Sequence, residues 1–402
     1  MLVVKKFGGT SVADKERIFN VAKRCMKSYQ AGDDVVVVLS AMGKMTDVLI
    51  DQAKDINPNP SKRELDMLLT TGEQTSVALM AMALHSLGVP AISLNAFQVA
   101  MHTTSNCGNA RIKRIDSERI RHELDQRKIV IITGFQGVNK YDDYTTLGRG
   151  GSDTTAVALA AALHADSCEI YTDVDGIYTA DPRLVKKARK MKEITYDEML
   201  DLATLGAGVL HNRSVEMAKK YNVPLVVRSS LTDAEGTVVK EDVKVERMLV
   251  SGVAADKNAT RISVIGLEDR PGVAFRLFDA LAKANINVDM ILQSIGREGK
   301  KDISFTIPED VADEALNVIE KNMERLKAEK VDCKRNVAKV SVVGAGMMSN
   351  PGVAAKMFEC LYNSNINIKM ISTSEIRVTV LIDEKEVEKA INAVHEAFGL
   401  ED

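Results

Sequence analysis

The chain has 402 residues, room for two or three domains, and its 45% apolar content supports sizeable cores. A formal net charge of −3, no Trp and 4% aromatic residues exclude a surface built for nucleic acid or base stacking. Leu2 to Lys6 reads as a short strand ending at Gly8-Gly9, with no secretory-signal pattern before it. Val12 to Tyr29 has helical spacing. Val35 to Leu39 is a continuous apolar strand, too short to span a membrane, and Ser40 follows it. Arg63 to Gly88 reads as a helix interrupted by Gly72, Ile129 to Thr133 as a buried strand ending at Gly134, and Thr154 to His164 as an alanine-rich helix. Glu169 to Thr172 and Leu225 to Arg228 are further strands. Apolar strands alternating with helices predict a mostly parallel sheet covered on both faces, with ligands held beyond the carboxyl ends of the strands.

Residues 231–258 are polar and read as a connection with one or two short strands. Beyond them Asp269–Ser294 aligns on Ser349–Ser374 without gaps, at an offset of 80 residues and with 12 of 26 positions identical. Each copy reads strand, Pro-Gly turn, helix, Asn-rich turn, strand, which predicts two duplicated α+β modules. The five cysteines form no C-x-x-C pair and the six histidines are scattered, so no ordinary zinc spacing exists and a reducing cytoplasm suits the thiols. Lys186–Lys192 is a basic run of the kind that covers a solvated face.

Chemistry concentrates in Leu147-Gly148-Arg149-Gly150-Gly151-Ser152-Asp153. Glycines expose backbone N–H groups, the following helix aims its positive end at the same place, and arginine grips carboxylate or phosphate with two bonds. Lys6-Phe7-Gly8-Gly9-Thr10-Ser11 is a second anion cradle between strand and helix. The P-loop pattern and G-x-G-x-x-G are both absent. Tyr171-Thr172-Asp173-Val174-Asp175-Gly176 is an acidic loop that follows a strand.

These motifs, together with Thr71-Gly72-Glu73 and Gly134-Phe135, resemble those of the aspartokinases in the amino acid kinase family, over the whole length. The duplicated modules resemble a tandem ACT pair. The resemblance implies a three-layer αβα sandwich over residues 1–230, a connecting segment 231–258, and ferredoxin-like ACT domains at 259–335 and 336–402. It implies phosphorylation of the L-aspartate β-carboxylate by ATP carrying Mg²⁺, with no metal site made by the protein alone. Lys6 and Asp153 are then catalytic. Ser40, Thr46, Glu73, Phe135, Arg149 and Ser152 hold aspartate, with Glu73 on its ammonium and Arg149 on a carboxylate. Lys6, Phe7, Gly8, Gly9, Thr10, Ser11, Thr172, Asp173, Tyr178, Asp181 and Arg183 serve the nucleotide.

Feedback by lysine, threonine or both is implied at Asp269, Gly272, Ala274, Asn287, Asp289 and Gln293 of the first module and Asn367, Ile368 and Ser374 of the second. Two departures stand out. Gly208 occupies a place where many relatives have a lysine, and Ala354 stands where some lysine-sensitive relatives have a hydroxyl. The resemblance further implies a cytoplasmic homo-oligomer paired through its ACT modules, with Met248 placed to start a shorter regulatory chain. The competing expectations are a kinase for another amino acid, such as glutamate, and a catalytically silent sensor.

Overall fold

Strands without a polar face build the N-terminal half. Val35–Leu39 and Ile129–Ile132 are at most 1% exposed. Such burial, worth about 1.5–3 kcal/mol per large apolar side chain, requires cover on both faces. The computed structural model describes residues 1–205, 209–241, 249–294, 296 and 299–401. The main sheet contains β1 (Leu2–Phe7), β2 (Asp34–Leu39), β3 (Ala91–Leu94), β4 (Ile129–Thr133), β5 (Ser167–Thr172), β6 (Glu193–Thr195), β7 (Leu225–Ser229) and β8 (Thr237–Lys240). Their order is β6-β8-β7-β5-β1-β2-β4-β3, and every pairing is parallel except β7 with β8.

Helices α1 (Lys15–Gln30) and α2 (Lys62–Ser86) share a core with Val35, Val37, Ile129 and Ile131 on one face. Alternation turns Val36, Val38, Val130 and Ile132 to the other face. There α3 (Gly151–Leu163) packs on β1, β2 and β5, with α4 (Asn212–Tyr221) beside it. The expected α/β sandwich is therefore present. One element is absent from the sequence expectation: a small sheet of Ile112–Arg114, His102–Thr103, Gln136–Val138 and Tyr144–Thr146. The expected helix from Val12 divides into a 3₁₀ turn at Gly9–Val12 and α1, because Asp14 caps the Arg17 N–H at 2.9 Å and starts the helix afresh.

The chain forms two compact units. The second holds a six-stranded antiparallel sheet whose long strands are β9 (Gly252–Glu268) and β10 (Lys330–Val343). The 80-residue repeat is visible in its backbone. Helices Val273–Lys283 and Val353–Asn363 coincide under the offset, and Asn285 and Asn365 both adopt left-handed φ values of 58° and 54°. Each helix closes its own apolar core.

The second unit also contains Tyr178–Arg189. This stretch lies in sequence between β5 and β6 of the first unit. Ala180 and Val185 join the core of the second module. Thr179 is 1% exposed; its hydroxyl lies 2.9 Å from His395 Nε2, and its carbonyl accepts from the Val253 N–H at 2.7 Å. Asn392 donates to the Leu184 carbonyl at 3.1 Å.

Candidate active site

The carboxyl ends of β1, β2 and β4 open beside the start of α3, where strand-end ligands bind in sheets of this kind. Ten of the expected residues, Lys6, Gly8, Gly9, Ser40, Thr46, Glu73, Phe135, Arg149, Ser152 and Asp153, line one cleft of about 300 Å³. β1 delivers Lys6 and the first turn of α3 delivers Asp153, and their charged ends lie 2.6 Å apart. Ser40 donates to the Ser152 hydroxyl at 2.9 Å. A Cβ on Gly9 would lie 2.5 Å from the Ala41 carbonyl, so only glycine lets these two backbones pass. Arg149 is exposed, and no carboxylate among the described residues pairs with it.

The glycine-rich segment folds as its composition requires. Gly148 and Gly150 take φ values of +79° and +68°, and Gly150 is the left-handed residue from which α3 departs. The helix thus begins at Gly151 rather than Thr154, and Ser152 and Asp153 ride on its first turn. Phe135 also has φ +68°, a conformation costing a branched or bulky residue about 1–2 kcal/mol. Its N–H donates to the Thr155 hydroxyl at 3.2 Å and its carbonyl accepts from Leu147 at 2.8 Å, so both neighbours hold it there.

Helix α2 carries a buried polar stripe, Asp66, Thr70, Glu73 and Ser76, instead of the solvated face ordinarily expected of such residues. Glu73 is 3% exposed. One carboxylate oxygen accepts from the Ala41 N–H at 3.2 Å, and the other has no partner among the described residues. Burial pushes this carboxyl up to about 7, and bonds from backbone N–H groups only partly oppose it. Asp66, at 1% exposure, accepts from the Gly108 N–H, the Thr146 N–H and the Thr146 hydroxyl at 2.8–3.1 Å. It thereby moors the strand that runs into the glycine-rich segment. Asp66→Asn would set an amide donor against those donors. A loss of about 1–2 kcal/mol is expected, read as a fall of several degrees in the melting midpoint.

The amino acid kinase family model matches residues 1–229, and an ACT domain model matches 262–323 and 340–398. An aspartokinase of Geobacillus stearothermophilus is 54% identical over 400 residues, covering 99% of this chain and 97% of that protein. Aspartokinase 2 of Bacillus subtilis is 51% identical, covering 99% and 98%. The chain belongs to the aspartokinases. Among solved structures, E. coli aspartokinase III in complex with aspartate and ADP superposes with a TM-score of 0.84 at 27% identity, over 99% of both chains. The same enzyme with lysine and aspartate gives 0.78 at 27% identity, again over 99% of both chains.

In this aspartokinase the residues expected to serve the nucleotide divide. Lys6, Gly8 and Gly9 line the cleft. Thr10 is exposed, and the Ser11 hydroxyl is buried without a partner among the described residues. Phe7 is fully buried and stacks on Tyr171 at 4.4 Å, so only its backbone faces the strand end. Thr172 closes β5 and donates to the exposed Asp173 at 2.9 Å. Tyr178, Asp181 and Arg183 belong to the second unit, where Arg183 grips Asp181 at 2.8–3.1 Å.

The expected effector residues lie on the turns of the repeat, except Ala274 in the helix Val273–Lys283 and Gln293 in the strand Ile291–Gln293. Asp269, Gly272, Asn287, Asp289, Gln293, Asn367 and Ser374 are exposed, while Ala274 and Ile368 pack against the two cores. Asp269 pairs with Lys301 at 3.1 Å and Asp289 with Lys339 at 2.6 Å. Ala354 packs beside the second core. Gly208 and Met248 lie outside the described residues. Among the described residues no group of three or more His, Cys, Asp or Glu side chains is arranged to hold a metal, and no helix is long and apolar enough to cross a membrane.

Three residues of the site escaped sequence reasoning: Asp66, Gln136 and His211. Only the Thr146 and Gly108 contacts mark Asp66. Gln136 bridges Thr133 and the Thr70 carbonyl at 3.0 and 2.7 Å. His211 lies against Gly150, with its Nδ1 buried and unpartnered among the described residues.

Proposed function

We propose that the cleft of this aspartokinase holds L-aspartate, with Arg149 on a carboxylate, Glu73 on the ammonium, Ser40, Thr46 and Ser152 closing around it and Phe135 as a wall. Complementary charge is the observation that carries this reading. Aspartate brings two anions and one cation, and the cleft offers Lys6, Arg149 and the half-partnered carboxylate of Glu73. A free aspartate carboxylate has a pKa near 3.9, so at pH 7 the nucleophile is already ionised and needs no general base. The difficulty is an anion approaching a polyanion. Catalysis then rests on alignment and charge stabilisation. Lys6 stabilises the transferring phosphoryl group of ATP, Asp153 holds Lys6 in place, and N–H groups at Gly8 and Gly9 line its path. Magnesium arrives on the nucleotide.

Thr10, Ser11, Thr172, Asp173, Tyr178, Asp181 and Arg183 complete the nucleotide side in this reading. The domains run 1–230, 259–335 and 336–402, joined by 231–258. Lysine, threonine or both act at the turns of the ACT modules, which pair a cytoplasmic homo-oligomer. A start at Met248 would supply a shorter regulatory chain.

One methylene separates glutamate from aspartate and is worth about 1–3 kcal/mol in a pocket, so the acceptor is tested directly. Hydroxylamine trapping with MgATP should yield the hydroxamate of aspartate far faster than that of glutamate. No acyl phosphate from aspartate would refute the reading. Arg149→Ala is expected to raise the aspartate KM by about 10-fold or more with little change in kcat. An unchanged aspartate dependence in steady-state kinetics counts against the grip.

A further inference from the structure

The first turn of α4 does work that its sequence does not announce. Arg213 spans two backbone carbonyls, Leu147 through Nη1 at 2.8 Å and Ala110 through Nη2 at 2.7 Å. Two residues before it, the His211 ring fills the space over Gly150: a Cβ on Gly150 would lie 2.2 Å from His211 Cγ. The His211 carbonyl accepts from the Ser214 N–H at 2.9 Å and the Ser214 hydroxyl at 2.6 Å, so the ring stands on a fixed helix start. Leu147 and Gly150 bracket Arg149. The backbone is therefore held on both sides of the one exposed cation in the segment, while Arg149 itself reaches into the cleft.

We propose that His211 and Arg213 are positioning residues for aspartate: together they fix the segment that carries Arg149, and through it the affinity for the acceptor carboxylate. The proposal rests on the reading that Arg149 grips aspartate. A side chain held in its productive geometry before binding loses less freedom when the substrate arrives, and the gain appears in substrate affinity. Burial lowers the His211 pKa, with Arg213 and Arg149 adding to it and Asp153 opposing it, so the ring sits over Gly150 as a neutral wedge at neutral pH.

The test is a double-mutant cycle on the full chain, read as aspartate KM, ATP KM and kcat. His211→Ala should raise the aspartate KM by about 10-fold while the ATP KM and kcat change by less than about 3-fold. Gly150→Ala should lower kcat/KM for aspartate by about 10²-fold, since its Cβ meets the ring and its φ is +68°. Removing the ring in the same chain opens that space. His211→Ala with Gly150→Ala should therefore recover about 10-fold of the loss. Additive effects, or a His211→Ala change confined to ATP, would overturn the proposal.

Melting midpoints monitor the fold. If His211→Ala is unstable, Arg213→Lys keeps the charge but cannot span both carbonyls, and should by itself raise the aspartate KM about 5-fold. A wild-type value there overturns the proposal too. Arg149→Ala run in parallel separates the failures. No effect there sinks the underlying reading, whereas an effect there without one at His211 and Arg213 sinks only this inference.

Discussion

Lys6→Ala is expected to lower turnover by about 10²-fold or more while the protein stays folded. Lys6 lies at the end of β1, its side chain 13% exposed, paired with Asp153 at 2.6 Å across the mouth of the cleft. Its neighbour cannot replace it. Lys5 projects from the opposite face of the strand, where it is bound to Glu169 at 2.6 Å and lies within 3.4 Å of the Tyr171 hydroxyl. Lys5 therefore cannot swing to the transferring phosphoryl group. The main-chain pairing of β1 with β2 and β5 does not involve the Lys6 side chain, so thermal melting should change little. Turnover measured at saturating aspartate and MgATP checks this, and a wild-type rate refutes the role of Lys6.

Glu73→Gln is expected to raise the aspartate KM by about 10²-fold above pH 8 and to abolish its pH dependence. Burial holds the Glu73 carboxyl at about 7. An incoming ammonium requires the ionised form. Below pH 7 the wild-type aspartate KM should therefore climb about 10-fold per pH unit, and above pH 8 it should level off. Binding near pH 7 should release a proton, detectable calorimetrically in buffers of different ionisation enthalpy. Stability runs the other way. The folded pKa lies above the ordinary value of 4.5, so the unfolded chain loses this proton first. The stability this group contributes is whole below pH 4.5 and is lost as pH rises to 7, about 3 kcal/mol in all. At pH 8 the Glu73→Gln protein should melt at a higher temperature than wild type. An aspartate KM that does not vary between pH 6 and 8 in the wild type would rule out the proposed ammonium contact.

Much of the fold was legible because its central strands are buried on both faces and read as unbroken Val and Ile runs. Ile129–Thr133 appears in the structure at the bounds its composition predicts. The small sheet was not legible. Strands as short as Ile112–Arg114 and His102–Thr103 carry no period, and they exist because neighbouring strands pair with them. The site divides along the same line. Residues inside glycine clusters announced themselves, because glycine clusters mark backbone that must approach something closely. The family resemblance assigned Glu73 to the substrate, but only packing shows that α2 buries a polar stripe around it. His211 looked idle because no second histidine stands near it in sequence. Its role comes from filling the space that Gly150 leaves, a match of shape between distant segments that no spacing rule encodes.

The excursion of Tyr178–Arg189 into the second unit means that the two halves are laced together rather than strung end to end. A chain cut after the last strand of the main sheet would leave Ala180 and Val185 without the core they enter, and Thr179 without His395 and Val253. The complementary fragment would lack part of its own wall. The segment Tyr178–Arg189 is thus tied to β5 and β6 by sequence and to the core of the second unit by packing.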